Sequence, residues 1–129
     1  MSAQHMAGKP KYYLIVAGGR DYTDCDRIVQ EILKLVWNEL KEFDVEIIHG
    51  AARGADQTAD LAALRCNLVR HPCPAEWDKH GKSAGPIRNR KMGDVAHGLL
   101  AFWDGESRGT ADMIKYMRLL GKDVRVINY

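Results

Sequence analysis

The fold of this chain is decided by the stretch Ile47-Ile48-His49-Gly50-Ala51-Ala52-Arg53-Gly54-Ala55-Asp56. Its β-branched residues lead into two glycines, and an alanine-rich segment follows over residues 60–64. This order is typical of a strand, a tight turn and a helix. Because glycine has no Cβ, it permits positive φ and the close approach of a ligand, and the N–H groups at a helix start attract anions. The stretch therefore predicts either a phosphate-binding turn or a plain structural turn.

The same pattern occurs at two other places and favours the phosphate-binding interpretation. One copy runs from Tyr13 to Asp21, and the other runs from Leu99 to Thr110. In each copy an apolar strand ends at glycine, and an arginine lies shortly beyond it. Loops that follow parallel strands share one edge of the sheet, where ligands bind. We therefore expect a cleft for an anionic small molecule, lined by Arg20, Arg53 and Arg108.

The rest of the chain alternates strands with helices, which predicts parallel βαβ units with right-handed crossovers. Predicted strands cover residues 12–17, 45–49, 68–71, 99–103 and 124–127. Residues 72–84 form the longest irregular segment, and such a loop in a compact domain is often functional. The predicted fold class is α/β: a Rossmann-like three-layer α/β/α sandwich with a five-stranded parallel sheet.

Length and composition fit a single domain. The 129 residues are 46% hydrophobic and 28% charged, as in ordinary globular proteins. We interpret residues 1–11 as an N-terminal extension or tag and residues 12–129 as the folded domain. No apolar run approaches the roughly 20 residues of a membrane span, and the start of the chain has no signal-peptide core. The expected location is cytoplasmic, with no membrane partner.

Charge and cysteine content narrow the expected partners. A net charge of +2 does not favour nucleic acid as the partner. Residues 79–92 nevertheless carry five cations and no acid, either as a solvated basic loop or as part of a ligand site. A nucleic-acid module that uses this stretch is a third, less favoured interpretation. The cysteines Cys25, Cys66 and Cys73 form no metal-binding spacing, so neither a metal site nor a cofactor is predicted.

Three segments carry a family resemblance: Val16-Ala17-Gly18-Gly19-Arg20-Asp21-Tyr22, then His49 to Asp56, then Ala84-Gly85-Pro86-Ile87-Arg88-Asn89-Arg90-Lys91-Met92. In this order they resemble the YspA-type, cpYpsA-related branch of the SLOG superfamily. The resemblance extends from about Tyr13 to the end of the chain. It implies a Rossmann-like fold that binds nucleotides or nucleotide-derived molecules, with small homo-oligomers as the expected assembly.

The sequence is also distantly similar to the LOG phosphoribohydrolases, which cut the N-glycosidic bond of nucleoside 5′-monophosphates. Arg90-Lys91 matches the Arg-Lys pair of that family, and Gly109-Thr110 matches its Gly-Thr. The glutamate position of that family holds Met113 here, and residues 104–107 replace its proline and glycines. A carboxylate must stabilise the oxocarbenium-like sugar while water is activated. Hydrolysis would therefore need another carboxylate, for which Glu76 is our first candidate, with Arg90 positioning the substrate.

Eleven residues are predicted to bind the ligand, and they all lie in the glycine turns, the third segment or the last helix start: Gly18, Gly19, Arg20, Gly50, Arg53, Gly54, Asp56, Arg88, Asn89, Gly109 and Thr110. Two alternatives stay open, since Asp56 is either a helix N-cap or a ribose ligand and Thr110 is either a cap or a phosphate ligand. The arginines at 20 and 53 either contact the ligand or pair with neighbouring aspartates. We expect nucleotide binding, with N-glycoside hydrolysis by Arg90 and Glu76 as the alternative.

Overall fold

The computed structural model describes residues 8–52 and 54–129. The strands in this part of the chain are β1 (Lys11–Gly18), β2 (Asp44–His49), β3 (Arg70–Pro72), β4 (Gly98–Trp103) and β5 (Asp123–Asn128). The α-helices are α1 (Cys25–Asn38), α2 (Ala55–Arg65), α3 (Trp77–His80), α4 (Ala84–Val95) and α5 (Arg108–Leu119). A 3₁₀ turn, Gly81–Ser83, separates α3 from α4. The predicted extension falls mostly on residues 1–7, outside the described residues, and Lys11 is already the first residue of β1.

The strands form one parallel sheet in the order β3-β2-β1-β4-β5. This confirms the predicted Rossmann-like fold with a five-stranded parallel sheet. The chain moves outward from β1 to β3 and then returns to lay β4 on the other side of β1. The loops after β1 and β4 therefore diverge, which leaves a crevice at the carboxyl edge of the sheet.

Helices cover both faces of the sheet and complete three layers. On one face, α1 and α2 pack through apolar residues that are buried at Ile28, Ile32, Ala59 and Ala62. On the other face, α4 and α5 do so through Met92, Met113, Ile114 and Met117. Helix α1 begins where Asp24 accepts a hydrogen bond from the Arg27 N–H at 3.1 Å, which is an N-cap. No helix within the described ranges is long and apolar enough to cross a membrane.

The region after α2 differs from the prediction. Strand β3 was expected at residues 68–71 but covers Arg70–Pro72, because Asn67 adopts a left-handed φ of 57° and delays the strand. Proline is tolerated in β3 because an edge strand does not need every N–H for pairing. The segment 72–84, predicted as irregular, contains α3 and the 3₁₀ turn. Backbone N–H groups of Lys79 and His80 donate to the Glu76 carbonyl and form this short helix.

The loops after β1 and β2 touch each other at Gly54. This glycine is the N-cap of α2 and has a φ of 75°, and a Cβ at this position would overlap the backbone of Arg20. The Ala55 N–H also donates to the Gly19 carbonyl at 3.0 Å. Only glycine allows both this φ and this backbone contact. The first two glycine turns are therefore one packed unit.

We expect Gly54→Ala to lower the free energy of unfolding by about 3 kcal/mol or more, because it combines a disfavoured φ with a backbone clash. Gly105→Ala is the matched control, since Gly105 has a φ of 85° but open space around it. It should cost only about 1–2 kcal/mol. Urea denaturation of both variants measures the difference, and equal costs would contradict the Gly54 contact.

Candidate functional site

A cleft of about 810 Å³ lies at the carboxyl edge of the sheet, at the crevice between β1 and β4. This volume is within the roughly 300–1,000 Å³ that is usual for small-molecule sites. Eight of the residues predicted to bind ligand line it: Gly18, Arg20, Gly50, Asp56, Arg88, Asn89, Gly109 and Thr110. The glycine turns and the third sequence segment thus meet at one place.

The other predicted residues lie elsewhere. Gly19 lies against the Tyr129 hydroxyl and Gly54 packs on the Arg20 backbone, and neither lines the cleft. Arg53 lies outside the described residues. Glu76 and Arg90, the two residues predicted for catalysis, are also absent from the cleft wall.

The turn after β2 is shaped by His49. This side chain is buried, and its Nδ1 accepts a hydrogen bond from the Ala51 N–H at 3.0 Å. Its Nε2 lies 2.9 Å from the Asp60 carboxylate. Because Nδ1 accepts a hydrogen bond, the ring proton is on Nε2, which donates a hydrogen bond to Asp60. The bond to Ala51 holds that residue at a φ of 59°, which is uncommon for alanine, and so fixes the turn that contains Gly50.

Gly50 is enclosed by two charged side chains. Arg88 donates from Nη1 to the Gly50 carbonyl at 2.6 Å. A Cβ on Gly50 would overlap this guanidinium and lie 2.8 Å from Asp56 Oδ2. Asp56 and Arg88 therefore flank Gly50 in the floor of the cleft.

Asp56 is a buried carboxyl that lines the cleft. The N-cap of α2 is Gly54, so Asp56 lies in the first turn of the helix, and its Oδ2 accepts from the Ala52 N–H at 3.3 Å. Burial raises the pKa of Asp56 above its ordinary value, although the charge of Arg88 and the Ala52 hydrogen bond oppose this. A carboxyl whose pKa is perturbed by burial in a cleft is a common feature of functional sites.

Asn89 joins α4 to the start of α5. It is buried, its Oδ1 accepts from Arg88 Nε at 3.1 Å, and its Nδ2 donates to the Gly109 carbonyl at 3.2 Å. The same Nδ2 lies 2.9 Å from Asp112 Oδ2. A continuous chain of hydrogen bonds thus runs from Gly50 through Arg88 and Asn89 to α5. The sequence motif marks Asn89 as important but not as this bridge.

Arg90 and Glu76 both have protein partners. The Arg90 guanidinium makes a bidentate ion pair with Asp112 at 3.0 and 3.2 Å and lies over the Tyr116 ring at 4.4 Å. Partial burial disfavours the charged form of Asp112, but hydrogen bonds from Arg90 and Asn89 outweigh it and lower the pKa of this carboxyl. Glu76 is exposed, precedes α3 and pairs with Lys91 at 3.4 Å.

The start of α5 forms the wall opposite the β2 turn. Its N-cap is Ser107, so Gly109 and Thr110 belong to the first turn of the helix. Thr110 is buried, and its hydroxyl lies 3.2 Å from the Ser107 hydroxyl. Arg108 is exposed and lines the cleft. The first-turn N–H groups of a helix favour an anion, so this wall offers positive potential.

The remaining wall is apolar and comes from the segment between β3 and α4. Pro74, Ala75, Trp77 and Pro86 line the cleft here. The Trp77 side chain is 53% exposed and reaches back towards α4, since a Cβ on Gly85 would lie 3.5 Å from its ring. The cleft is therefore lined by an apolar aromatic wall that follows the edge strand β3 and by a cationic wall whose side chains follow β1 and β4. In residues 8–52 and 54–129 no group of three or more His, Cys, Asp or Glu side chains is placed to hold a metal ion.

Asp56→Asn should make the protein more stable than the parent at neutral pH. Because the pKa of Asp56 is raised in the folded protein, this carboxyl stabilises the fold at pH values below 3.8, its ordinary pKa. The stabilisation is lost as the pH rises through the pKa of the folded state. Asp60 on the same helix is the matched control. Hydrogen bonding to His49 lowers the pKa of Asp60, so this carboxylate stabilises the fold at pH values above 3.8 and the stabilisation is lost as the pH falls.

Urea unfolding of the parent, Asp56→Asn and Asp60→Asn between pH 3 and 8 measures how the stability contributed by each carboxyl depends on pH. The first substitution should stabilise progressively above about pH 4, and the second should destabilise at neutral pH and converge with the parent in acid. A loss of stability at neutral pH in Asp56→Asn would contradict the burial cost assigned to this carboxyl.

Comparison with known proteins places the chain in a family. The family model described as YspA, cpYpsA-related SLOG family matches residues 13–80. The Gene 61 protein of Mycobacterium phage D29 is 34% identical over 106 residues, which cover 73% of this chain and 83% of that protein. The family match agrees with the resemblance carried by the glycine turns.

A solved structure shares the fold. The X-ray structure of DNA processing protein A (DprA) from Streptococcus pneumoniae has a TM-score of 0.70 and 19% sequence identity to this chain. The match covers 96% of this chain and 52% of that one, so the chain spans about half the length of that structure. At this identity the likeness shows the fold alone. The family match over residues 13–80, which is more than half of the chain, shows that this chain belongs to the YspA, cpYpsA-related SLOG family.

Proposed function

We propose that this protein binds a nucleotide or a nucleotide-derived small molecule in the cleft at the carboxyl edge of its sheet. The observation that carries the proposal is the division of this cleft into an apolar aromatic wall and a cationic wall. A nucleotide has the same division, because its base is planar and stacks while its phosphate is anionic. Family membership supports a ligand of this class.

The phosphate would bind between the loops after β1 and β4. Arg20 lies in the loop after β1, and Arg108 is the first residue of α5, directly after the loop that follows β4. The strands β1 and β4 are neighbours in the sheet, and both side chains are exposed in the cleft. Neither guanidinium has an ion pair with another side chain in the described ranges. The first turn of α5, at Gly109, adds N–H groups and the positive end of the helix dipole. These groups together favour one anionic group at the crevice.

The base would lie against the apolar wall. The Trp77 ring is exposed there, and prolines at 74 and 86 flank it. Stacking on an aromatic ring is tolerant of base identity, because every base has a π-face. This wall therefore supports binding of a nucleobase without choosing among the bases.

Glycoside hydrolysis has less support than binding. The glutamate position of the LOG enzymes holds Met113, whose side chain is buried in the cleft wall. Glu76 pairs with Lys91 outside the cleft, and Arg90 is paired with Asp112. Hydrolysis would require a carboxylate that can reach the sugar and activate water. Asp112 is the carboxylate of the cleft wall nearest to that position in sequence, but its two oxygens already accept hydrogen bonds.

Arg20→Ala and Arg108→Ala should each weaken nucleotide binding about tenfold or more, since a charge-assisted hydrogen bond to phosphate contributes more than about 1.4 kcal/mol. Arg118→Ala is the matched control, because Arg118 is an exposed arginine near the opposite end of α5. Calorimetric titration with nucleoside 5′-monophosphates and 5′-diphosphates measures the affinities.

Chromatography of the same mixtures separates binding from hydrolysis. Stabilisation by nucleotide without release of free base supports a binding protein, whereas release of base and ribose phosphate supports the hydrolase. The absence of any binding across the series, or an equal loss in the Arg118 variant, would contradict the proposed site.

A further inference from the structure

We propose that Asp56 and Arg88 bind the vicinal hydroxyls of a ribose, so that the ligand is a ribonucleotide and not a deoxyribonucleotide. This inference rests on the proposed nucleotide-binding function and names the sugar that the same cleft selects. It is carried by a buried carboxylate and a guanidinium that both line the cleft and both lie beside Gly50.

The two side chains lie beside the same turn of the cleft. Both line the cleft and both flank Gly50, whose missing Cβ would lie 2.8 Å from Asp56 Oδ2 and would overlap the Arg88 guanidinium. Asp56 is 8% exposed, so its carboxylate has little contact with bulk water. A polar ligand group at this position would therefore contact an acceptor and a donor at the same time.

The charge of this pair selects a neutral polar group. Arg88 already donates to the Gly50 carbonyl at 2.6 Å and to Asn89 Oδ1 at 3.1 Å, and the Asp56 carboxylate lies beside it. A phosphate here would be repelled by Asp56, and an ammonium group would be repelled by Arg88. A hydroxyl can donate to the carboxylate and accept from the guanidinium. Two adjacent hydroxyls fit this pair of charges best.

The position of the pair matches the position of the sugar in a nucleotide. Arg88 follows Pro86 of the apolar wall by two residues, and Asp56 follows Gly54, which packs on the Arg20 backbone, by two residues. The Gly50 turn that both side chains flank follows β2, and β2 lies in the sheet between β3, which precedes the wall proposed for the base, and β1, which precedes Arg20. Asp56 and Arg88 are therefore placed between the positions proposed for the base and the phosphate. A base edge also carries donors and acceptors, but the exposed Trp77 ring gives the base a stacking surface elsewhere. The floor is left for the sugar.

The test compares matched ribonucleoside and 2′-deoxyribonucleoside 5′-monophosphates of adenine, guanine and cytosine by calorimetric titration. The parent should bind the ribonucleotides about tenfold or more tightly, because a site built to bond a hydroxyl rejects the analogue that lacks it. In Asp56→Ala this preference should fall to within about twofold, with a much smaller change in affinity for the deoxy series. Asp56→Asn, which keeps the shape of the side chain, is the second variant if the alanine protein does not fold.

Asp26→Ala serves as the control, since Asp26 is an exposed carboxylate in the first turn of α1, and it should keep the full preference. Equal binding of both sugar series by the parent would overturn this inference and leave nucleotide binding intact. A preference that persists in both Asp56 variants would remove Asp56 from sugar recognition. If no nucleotide of either series binds, the proposed function fails together with this inference.

Discussion

The cleft depends on one chain of hydrogen bonds, which runs from the Gly50 carbonyl through Arg88 and Asn89 to the Gly109 carbonyl. It ties the turn after β2 to the first turn of α5, across the crevice where the direction of chain progression reverses. The bridge from α4 therefore holds these two parts of the cleft wall relative to each other. Helix α4 thus both lines the cleft and links the two loops on either side of it.

The cleft floor keeps polar groups where an apolar core would be more stable. Asp56 is buried, and its desolvation raises its pKa, while neighbouring positions of α2 are alanines packed on the sheet. Natural proteins commonly accept such a cost at functional sites. The enclosure of Gly50 by Arg88 and the left-handed φ of Ala51 are two further features with an energetic cost, and each is held in place by surrounding hydrogen bonds.

Sequence periodicity was sufficient for the fold and for the location of the cleft. Apolar patterning identifies four of the five strands to within about a residue, and the glycines that follow three of them place three loops at one edge. Periodicity does not show which side chains of a motif line the cleft. Arg88 and Arg90 are two residues apart, about 200° around the helix, so one reaches the β2 turn and the other reaches α5. A motif names both arginines but does not say which one lines the cleft.

Insertions and deletions have different consequences in the connection from β3 to α4 and in the helix α4 itself. The Gly81 turn has open space around it, so residues can be added or removed there without moving the sheet. One residue added inside α4 before Arg88 would instead rotate that side chain by about 100° and take it away from Gly50. The apolar wall can therefore vary through the length of this connection, whereas the number of residues in α4 before Arg88 cannot change without moving that side chain.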